Sequence, residues 1–272
     1  YSHTTGAKIH DLPLPWRLER EDKDVPADLH VITPSSLTQR RRPGWIGHTG
    51  AERRQVVVVD GLPVTGLIDT WIDLGSMAVG RRRALTIEDL VVAGDELINK
   101  LIATGAAGSH RSRLGHAQRH LDPEVVGPVL VLIRARLAER VRPRLRGRTA
   151  LEAALPLMRA GVKSPQETRT RLMFARAGFP EPLVNANIHV EGGGGWLGEG
   201  DLVWKEAKTV AEYQSEHHAD RKRRSFDSDK LALFRDEGWH THEVWAEDLR
   251  PGVRQHALLE RVGASLHRQR LV

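Results

Sequence analysis

Gly200-Asp201-Leu202-Val203-Trp204 and Thr209-Val210-Ala211-Glu212-Tyr213-Gln214 are two apolar-rich runs separated only by residues 205–208. Both read as strands, and so short a connection makes them antiparallel neighbours. A turn centred between Glu206 and Ala207 sets Trp204 opposite Thr209 and Asp201 opposite Glu212. Opposed residues on one sheet face hold their Cβ atoms about 4.5–5.5 Å apart. Two carboxylates at that distance repel, and a hard divalent cation relieves the repulsion. The inference depends on register, because a slip of one residue sends one carboxylate to the other face. The plainer alternative is a solvent-facing hairpin carrying two unrelated acids. Gln214 shares the face of Glu212 and Val210 by the period-two rule, while Ala211 and Tyr213 face away.

Working outward, the order of elements is helix (165–177), strand (183–190), the two hairpin strands, a long polar-faced helix (217–237), a strand (239–245) and a closing helix (252–268). This α-β-β-β-α-β order predicts a mixed sheet flanked by helices. Glu167 stands in Ser164-Pro165-Gln166-Glu167, a capping-box pattern with proline at the first helical position. A carboxylate in a first helical turn can also point to a neighbouring sheet. His217 and His218 follow the second hairpin strand, where an imidazole beside a carboxylate site can serve as acid, base or phosphate contact. Arg221-Lys222-Arg223-Arg224 is the densest basic run, with Lys230 one to two turns further along the same helix. These side chains are read as phosphate anchors, against the alternative of a solvated helix face.

The sequence divides near residues 161–164, giving an accessory domain over 1–161 and a second domain over 162–272. The first is mainly helical, with strands at 29–32 and 55–59. The second of these strands is a continuous apolar run, expected to be buried. An amphipathic helix is expected over 63–78, with Val64, Leu67, Ile68, Trp71 and Ile72 on one face. Helices follow at 86–103, 109–120, 123–141 and 149–159. His110, His116 and His120 lie on the 109–120 segment without a nearby acid, and read as solvated surface rather than a zinc site. The glycine run 192–195 is a loop, not a phosphate cradle.

At 272 residues the chain is long enough for two domains with real cores. It has no cysteine, which excludes a disulfide scaffold and thiolate zinc sites and suits a reducing cytoplasm. No apolar run approaches the about 18–20 residues of a membrane span. The net charge of +6 is carried largely by arginine, with a pI near 10.0, and this favours phosphate-rich partners. The chain opens at Tyr1 rather than methionine, so a preceding segment is expected.

An ordered set of these residues resembles a known family. Ser164-Pro165-Gln166-Glu167, Gly178-Phe179-Pro180-Glu181-Pro182, Asp201-Leu202, Glu212-Tyr213-Gln214-Ser215-Glu216-His217-His218, Asp227 or Asp229, and Gly238-Trp239 together span about residues 163–250. They are similar to the bacterial endonuclease-like family related to very-short-patch-repair endonucleases, within the PD-(D/E)xK superfamily. Ser2-His3, Leu12-Pro13-Leu14-Pro15, Pro63-Val64-Thr65 and Asp69-Thr70-Trp71-Ile72-Asp73-Leu74 look like the region that follows a winged helix in abortive-infection-type antitoxin relatives. The resemblance implies an α/β nuclease domain acting on DNA with Mg²⁺ or Mn²⁺. Asp201 and Glu212 would be metal ligands with the Tyr213 carbonyl nearby, Glu167 would reach the site, and His218 would assist at the scissile phosphate. It further implies a role in defence against foreign DNA or in a toxin–antitoxin-like system. A double-strand cut needs two sites, which makes a homodimer an expectation.

One departure matters. The family pattern is Glu-Tyr-Asp-Gly-x-x-His, and this chain has Gln214-Ser215. Gln214 stands where the wider superfamily places lysine, and a neutral amide carries no charge and is no base at neutral pH. The alternative is therefore a nuclease fold kept as a DNA-binding or regulatory module, and a third reading is action on RNA.

Overall fold

The computed structural model describes residues 1–19, 28–37, 42–80, 84–105, 123–193, 195–214 and 221–268, with side chains except at 19, 123–126, 221–228 and 268. The expected helix over 109–120, with His110, His116 and His120, lies outside the described residues, as do His217 and His218. The protein is mixed α/β and divides into two compact units: residues 1–111 with 128–160, and residues 161–272 with 112–127. Among the described residues, no helix is long and apolar enough to cross a membrane.

In the first unit, α1 (His3–Ile9) and α2 (Trp16–Glu19) precede two small sheets. β1 (Leu29–Thr33) pairs in parallel with β2 (Trp45–Thr49), and β3 (Val56–Val59) pairs antiparallel with β4 (Leu62–Thr65). α3 (Leu67–Gly75), α4 (Ile87–Ala103), α5 (Pro123–Arg140) from residue 128 on, and α6 (Arg148–Ala154) are its other described α-helices. Two expectations are corrected here. The apolar run 55–59 is not buried, because Val56 and Val58 are 52% and 73% exposed. Their strand belongs to a two-stranded ribbon with one covered face. Nor does the helix begin at Pro63. Asp60-Gly61, at φ 48 and 78, makes a tight hairpin turn, so residues 62–65 return as a strand before the helix opens at Leu67. Both residues sit in the left-handed region that a type I′ turn needs, which Gly occupies without strain.

Helix α4 carries a full capping box. Thr86 Oγ1 accepts from the Asp89 N–H at 3.1 Å, and Asp89 Oδ2 accepts from the Thr86 N–H at 2.9 Å. Trp71, fully buried on α3, donates its indole N–H to the Leu90 carbonyl at 2.9 Å in the first turn of the same helix. Thr86→Ala is therefore expected to cost this unit about 1 kcal/mol in chemical denaturation. An unchanged midpoint would show that packing around Trp71 holds the helix start without the cap. The expected helix over 149–159 is shorter, giving way to a 3-10 turn at Leu155–Leu157.

The second unit is a four-stranded mixed sheet in the order β5-β6-β7-β8. Its strands are β5 (Leu183–His189), β6 (Trp196–Trp204), β7 (Thr209–Tyr213) and β8 (His240–Val244). The first three are antiparallel neighbours, and β8 joins β7 in parallel across helix α8 (Arg221–Asp236). A parallel neighbour requires such a crossover. α8 ends on Gly238 at φ 78, which turns the chain straight into β8. α7 (Pro165–Arg176) and α9 (Val253–Arg268) supply Met173, Phe174, Leu258 and Val262 to one face of the sheet, around Leu202, Trp204 and Ala211. Leu231 and Phe234 of α8 cover the other, around Ala186, Ile188, Val203 and Val210. Both faces of the sheet are thus dry, so any polar side chain set into it needs a partner.

Candidate active site

The β6–β7 hairpin has the register expected from its turn. Trp204 faces Thr209, Val203 faces Val210 and Leu202 faces Ala211. The connection is one 3-10 turn at Lys205–Ala207, closed by the Lys208 N–H on the Lys205 carbonyl at 3.0 Å. One step beyond Leu202 and Ala211, side chains replace the backbone ladder. The Asp201 N–H donates to Glu212 Oε1 at 3.3 Å, and the Tyr213 N–H donates to Asp201 Oδ2 at 2.8 Å. The two carboxylates therefore cap the end of the hairpin beside one another.

On the other side of β6, the pleat breaks at the same level. The β5–β6 ladder pairs Val184 with Leu202 and Ala186 with Gly200, which brackets Asn185 and Asp201. Asn185 has φ 46, in the left-handed region. Strict alternation would put residues 184, 186 and 188 on one face. Instead Val184 packs beside Leu202 and Trp204, while Ala186 and Ile188 join Val203 and Val210 on the opposite face. The kink lets the asparagine amide reach α7: its Nδ2 donates to Glu167 Oε2 at 2.7 Å and to the Gly161 carbonyl at 2.9 Å.

Glu167 fulfils half of the capping pattern. Its N–H donates to Ser164 Oγ at 3.2 Å, but its carboxylate accepts from the Lys163 N–H at 2.9 Å rather than from Ser164. The carboxylate is thereby turned towards the sheet, as the alternative for a first-turn acid anticipates. From the opposite layer, Lys230 of α8 donates to Glu212 Oε2 at 2.7 Å and to the Glu199 carbonyl at 3.2 Å. Helices on both faces of the sheet thus deliver charge to the break in its pleat.

Three acids and one ammonium leave an excess of negative charge in a largely buried place. Burial, then the Glu212 charge, then that of Glu167 push the Asp201 carboxyl well above the ordinary carboxylate range, against the pull of the Tyr213 N–H and Lys230. Glu212 is buried. The oxygen-only donor set suits a hard cation such as Mg²⁺ or Mn²⁺. Asp201 and Glu212 form its core. Among the described residues, the two carboxylates belong to no group of three acids or histidines whose ligand atoms all lie within 4.8 Å of one another. Glu167 acts on Asp201 through its charge.

The other expected residues are placed as follows. Gln214 continues β7 and is half-buried, its N–H donating to the Val244 carbonyl at 2.8 Å. Tyr213 contributes its N–H to Asp201, while its side chain packs on the far face, beside the cluster of Phe174 and Leu258. His218 lies outside the described residues. Arg221, Lys222, Arg223 and Arg224 form the first turn of α8, and their side chains also lie outside the description. Lys230, expected on phosphate, is instead paired with Glu212. Asn185 was missed, although a lone amide inside Leu183-Val184-Asn185-Ala186 is a polar group in a strand that must be buried.

Comparison with family models, with curated proteins and with solved structures finds no match.

Proposed function

We propose that the unit from Gly161 to Val272 is a metal-dependent nuclease that hydrolyses phosphodiester bonds in DNA, built on a PD-(D/E)xK-like arrangement. The observation that carries this reading is the Asp201–Glu212 pair, set side by side in a dry sheet with Glu167 adding to the repulsion. A sheet selected for stability alone avoids like charges directly opposed. A pair kept there is ready for a cation, and the resemblance of residues 163–250 makes that cation Mg²⁺ or Mn²⁺.

When bound, the ion would polarise a phosphate oxygen and lower the pKa of a bound water. The chain's own part is positional. The Tyr213 N–H and the Asn185 amide hold Asp201 and Glu167 in place. Lys230 sets an ammonium 2.7 Å from Glu212 Oε2 in the metal-free protein. That ammonium stands next to the carboxylates, where Gln214 provides none. The basic first turn of α8 is proposed to hold the DNA backbone, and two copies are proposed to act together on a duplex.

The test is cleavage of supercoiled plasmid and of single-stranded DNA and RNA with Mg²⁺ or Mn²⁺, beside Asp201→Asn and Glu212→Gln. DNA cutting that requires metal and disappears in both variants is the expected result. Cutting that survives in the variants removes these residues from the site. Metal-dependent cutting of RNA alone changes the substrate. Absence of cutting with DNA binding intact in all three proteins favours the second reading, a DNA-binding module in which Gln214 marks lost catalysis.

A further inference from the structure

In the first unit, three histidines that are distant in sequence converge. His3 opens α1, His30 lies on β1 and His48 on β2, and one ligand nitrogen from each lies within 4.8 Å of the others. His30 Nδ1 and His48 Nε2 are 2.9 Å apart, and the His3 and His48 rings stack at 3.5 Å between centroids. His3 and His30 are buried and His48 is half-buried. Three imidazoles within this distance are a costly way to fill space, since a protonated ring would repel its neighbours and each neutral ring needs its acceptor nitrogen satisfied.

The outer partners resemble those around metal-binding imidazoles. Ser2 Oγ lies 2.9 Å from His3 Nδ1, and Ser76 Oγ lies 3.2 Å from His3 Nε2. One of these hydroxyls can fix the orientation and tautomer of the ring, while the other has to give way for His3 to ligate. His3, His48 and Ser76 line a cavity of ≈ 620 Å³ together with Asp73 and Arg54. Asp73 is 2% exposed; Arg54 donates to its Oδ1 at 2.9 and 2.7 Å, while its Oδ2 is buried with no hydrogen-bond partner. An orphaned carboxylate oxygen in a cavity lined by two of the three imidazoles is a ready acceptor for a water carried on a cation.

We propose that His3, His30 and His48 form a three-imidazole site for a borderline transition-metal dication, Zn²⁺ foremost, whose remaining coordination position faces the cavity beside Asp73. Zinc bound at about 2.0–2.1 Å to tetrahedral nitrogens spaces them about 3.3 Å apart. The hydrogen-bonded His30–His48 pair at 2.9 Å has to open slightly, and the His3 ring has to swing out of its 3.5 Å stack on His48 so that its in-plane lone pair meets theirs. The ion would tie the start of the chain to the β1–β2 ribbon. Nitrogen donors separate this site from the carboxylates of the second unit, which favour Mg²⁺.

The experiment is titration of the metal-stripped full chain carrying Asp201→Asn and Glu212→Gln with Zn²⁺ and Co²⁺, with Mg²⁺ as the control. The expected result is one tightly bound Zn²⁺ per chain, a visible Co²⁺ spectrum of low coordination number, a higher melting temperature, and no effect of Mg²⁺. His48→Ala is expected to weaken Zn²⁺ at least 100-fold while the metal-free melt stays cooperative. His116→Ala, in the other histidine group, is expected to change nothing. His30→Gln provides a second variant should His48→Ala fail to fold. Failure to retain Zn²⁺ would overturn the proposal, as would binding that survives both variants or follows His116.

Discussion

Asp201→Asn is expected to raise the unfolding temperature of the metal-free protein at pH 8 while abolishing its Mg²⁺ binding and about 10³-fold of any cleavage. Asp201 faces Glu212 from β7, Glu167 through α7 and Lys230 from α8, and the first two push its proton affinity up beyond burial alone. A carboxyl with a raised folded pKa binds its proton more tightly in the native state than in the unfolded chain. Its contribution to stability is therefore complete below the ordinary carboxylate pKa and is lost as pH rises through the folded value. Asparagine keeps the acceptor for the Tyr213 N–H at 2.8 Å but carries no charge. The gain should be about 1–3 kcal/mol at pH 8 and should shrink towards pH 5. Millimolar Mg²⁺ should stabilise the parent and leave the variant unmoved. Melts at the two pH values, with and without Mg²⁺, read this directly. Equal destabilisation at both would mean that Asp201 is a structural residue.

Lys230→Met is expected to have the largest cost to folding in the second unit. The Lys230 ammonium is 2.7 Å from Glu212 Oε2, and the two side chains are 20% and 7% exposed. Its stem packs on Gly198, where an added Cβ would stand 3.1 Å from Lys230 Cγ, and methionine fills much of that volume. What disappears is charge: Glu212 would lose the ammonium on its Oε2 while staying buried beside Asp201. Breaking a buried pair on one side costs about 3–5 kcal/mol. Proton uptake by the carboxylates offsets this, so the loss should be greatest at pH 8 and smaller at pH 5. Adding Glu212→Gln should recover most of it, and the resulting double-mutant cycle measures the coupling. A Lys230→Met protein as stable as the parent at pH 8 would show that solvent already screens the pair.

Short-range order was legible where one turn sets the geometry. Only residues 205–208 separate the arms of the β6–β7 hairpin, and a connection that short allows few registers, so Trp204 meets Thr209 as the pattern implies. The start of α7 was legible for the same reason, because the Ser164 cap is a bond across three residues. Asp60-Gly61 carried an equally local signal, yet the helical spacing of Val64, Leu67, Ile68, Trp71 and Ile72 outweighed it in the sequence. Val64 satisfies both patterns, and only the pairing of Val57 with Val64 distinguishes them.

The composition of the carboxylate site lies at the other extreme. Lys230 is separated from Glu212 by 18 residues and a helical crossover, and on α8 it reads as one more exposed base. Its role is decided by which face of the sheet α8 covers, a matter of packing Leu231 and Phe234 against Val203 and Val210. Asn185 becomes a ligand of Glu167 only because both strands around Asp201 leave their alternation together, and no periodicity encodes a break in itself. The His3–His30–His48 group is more distant still, three single residues on a helix and two parallel strands, with spacings that match no metal motif. The sequence by itself determined the Ser164 cap, the hairpin and the facing of Asp201 and Glu212, because those interactions run between near neighbours along the chain. The tertiary structure decided which cation balances those acids and which histidines meet, because burial assigns partners by position in space and not by separation in sequence.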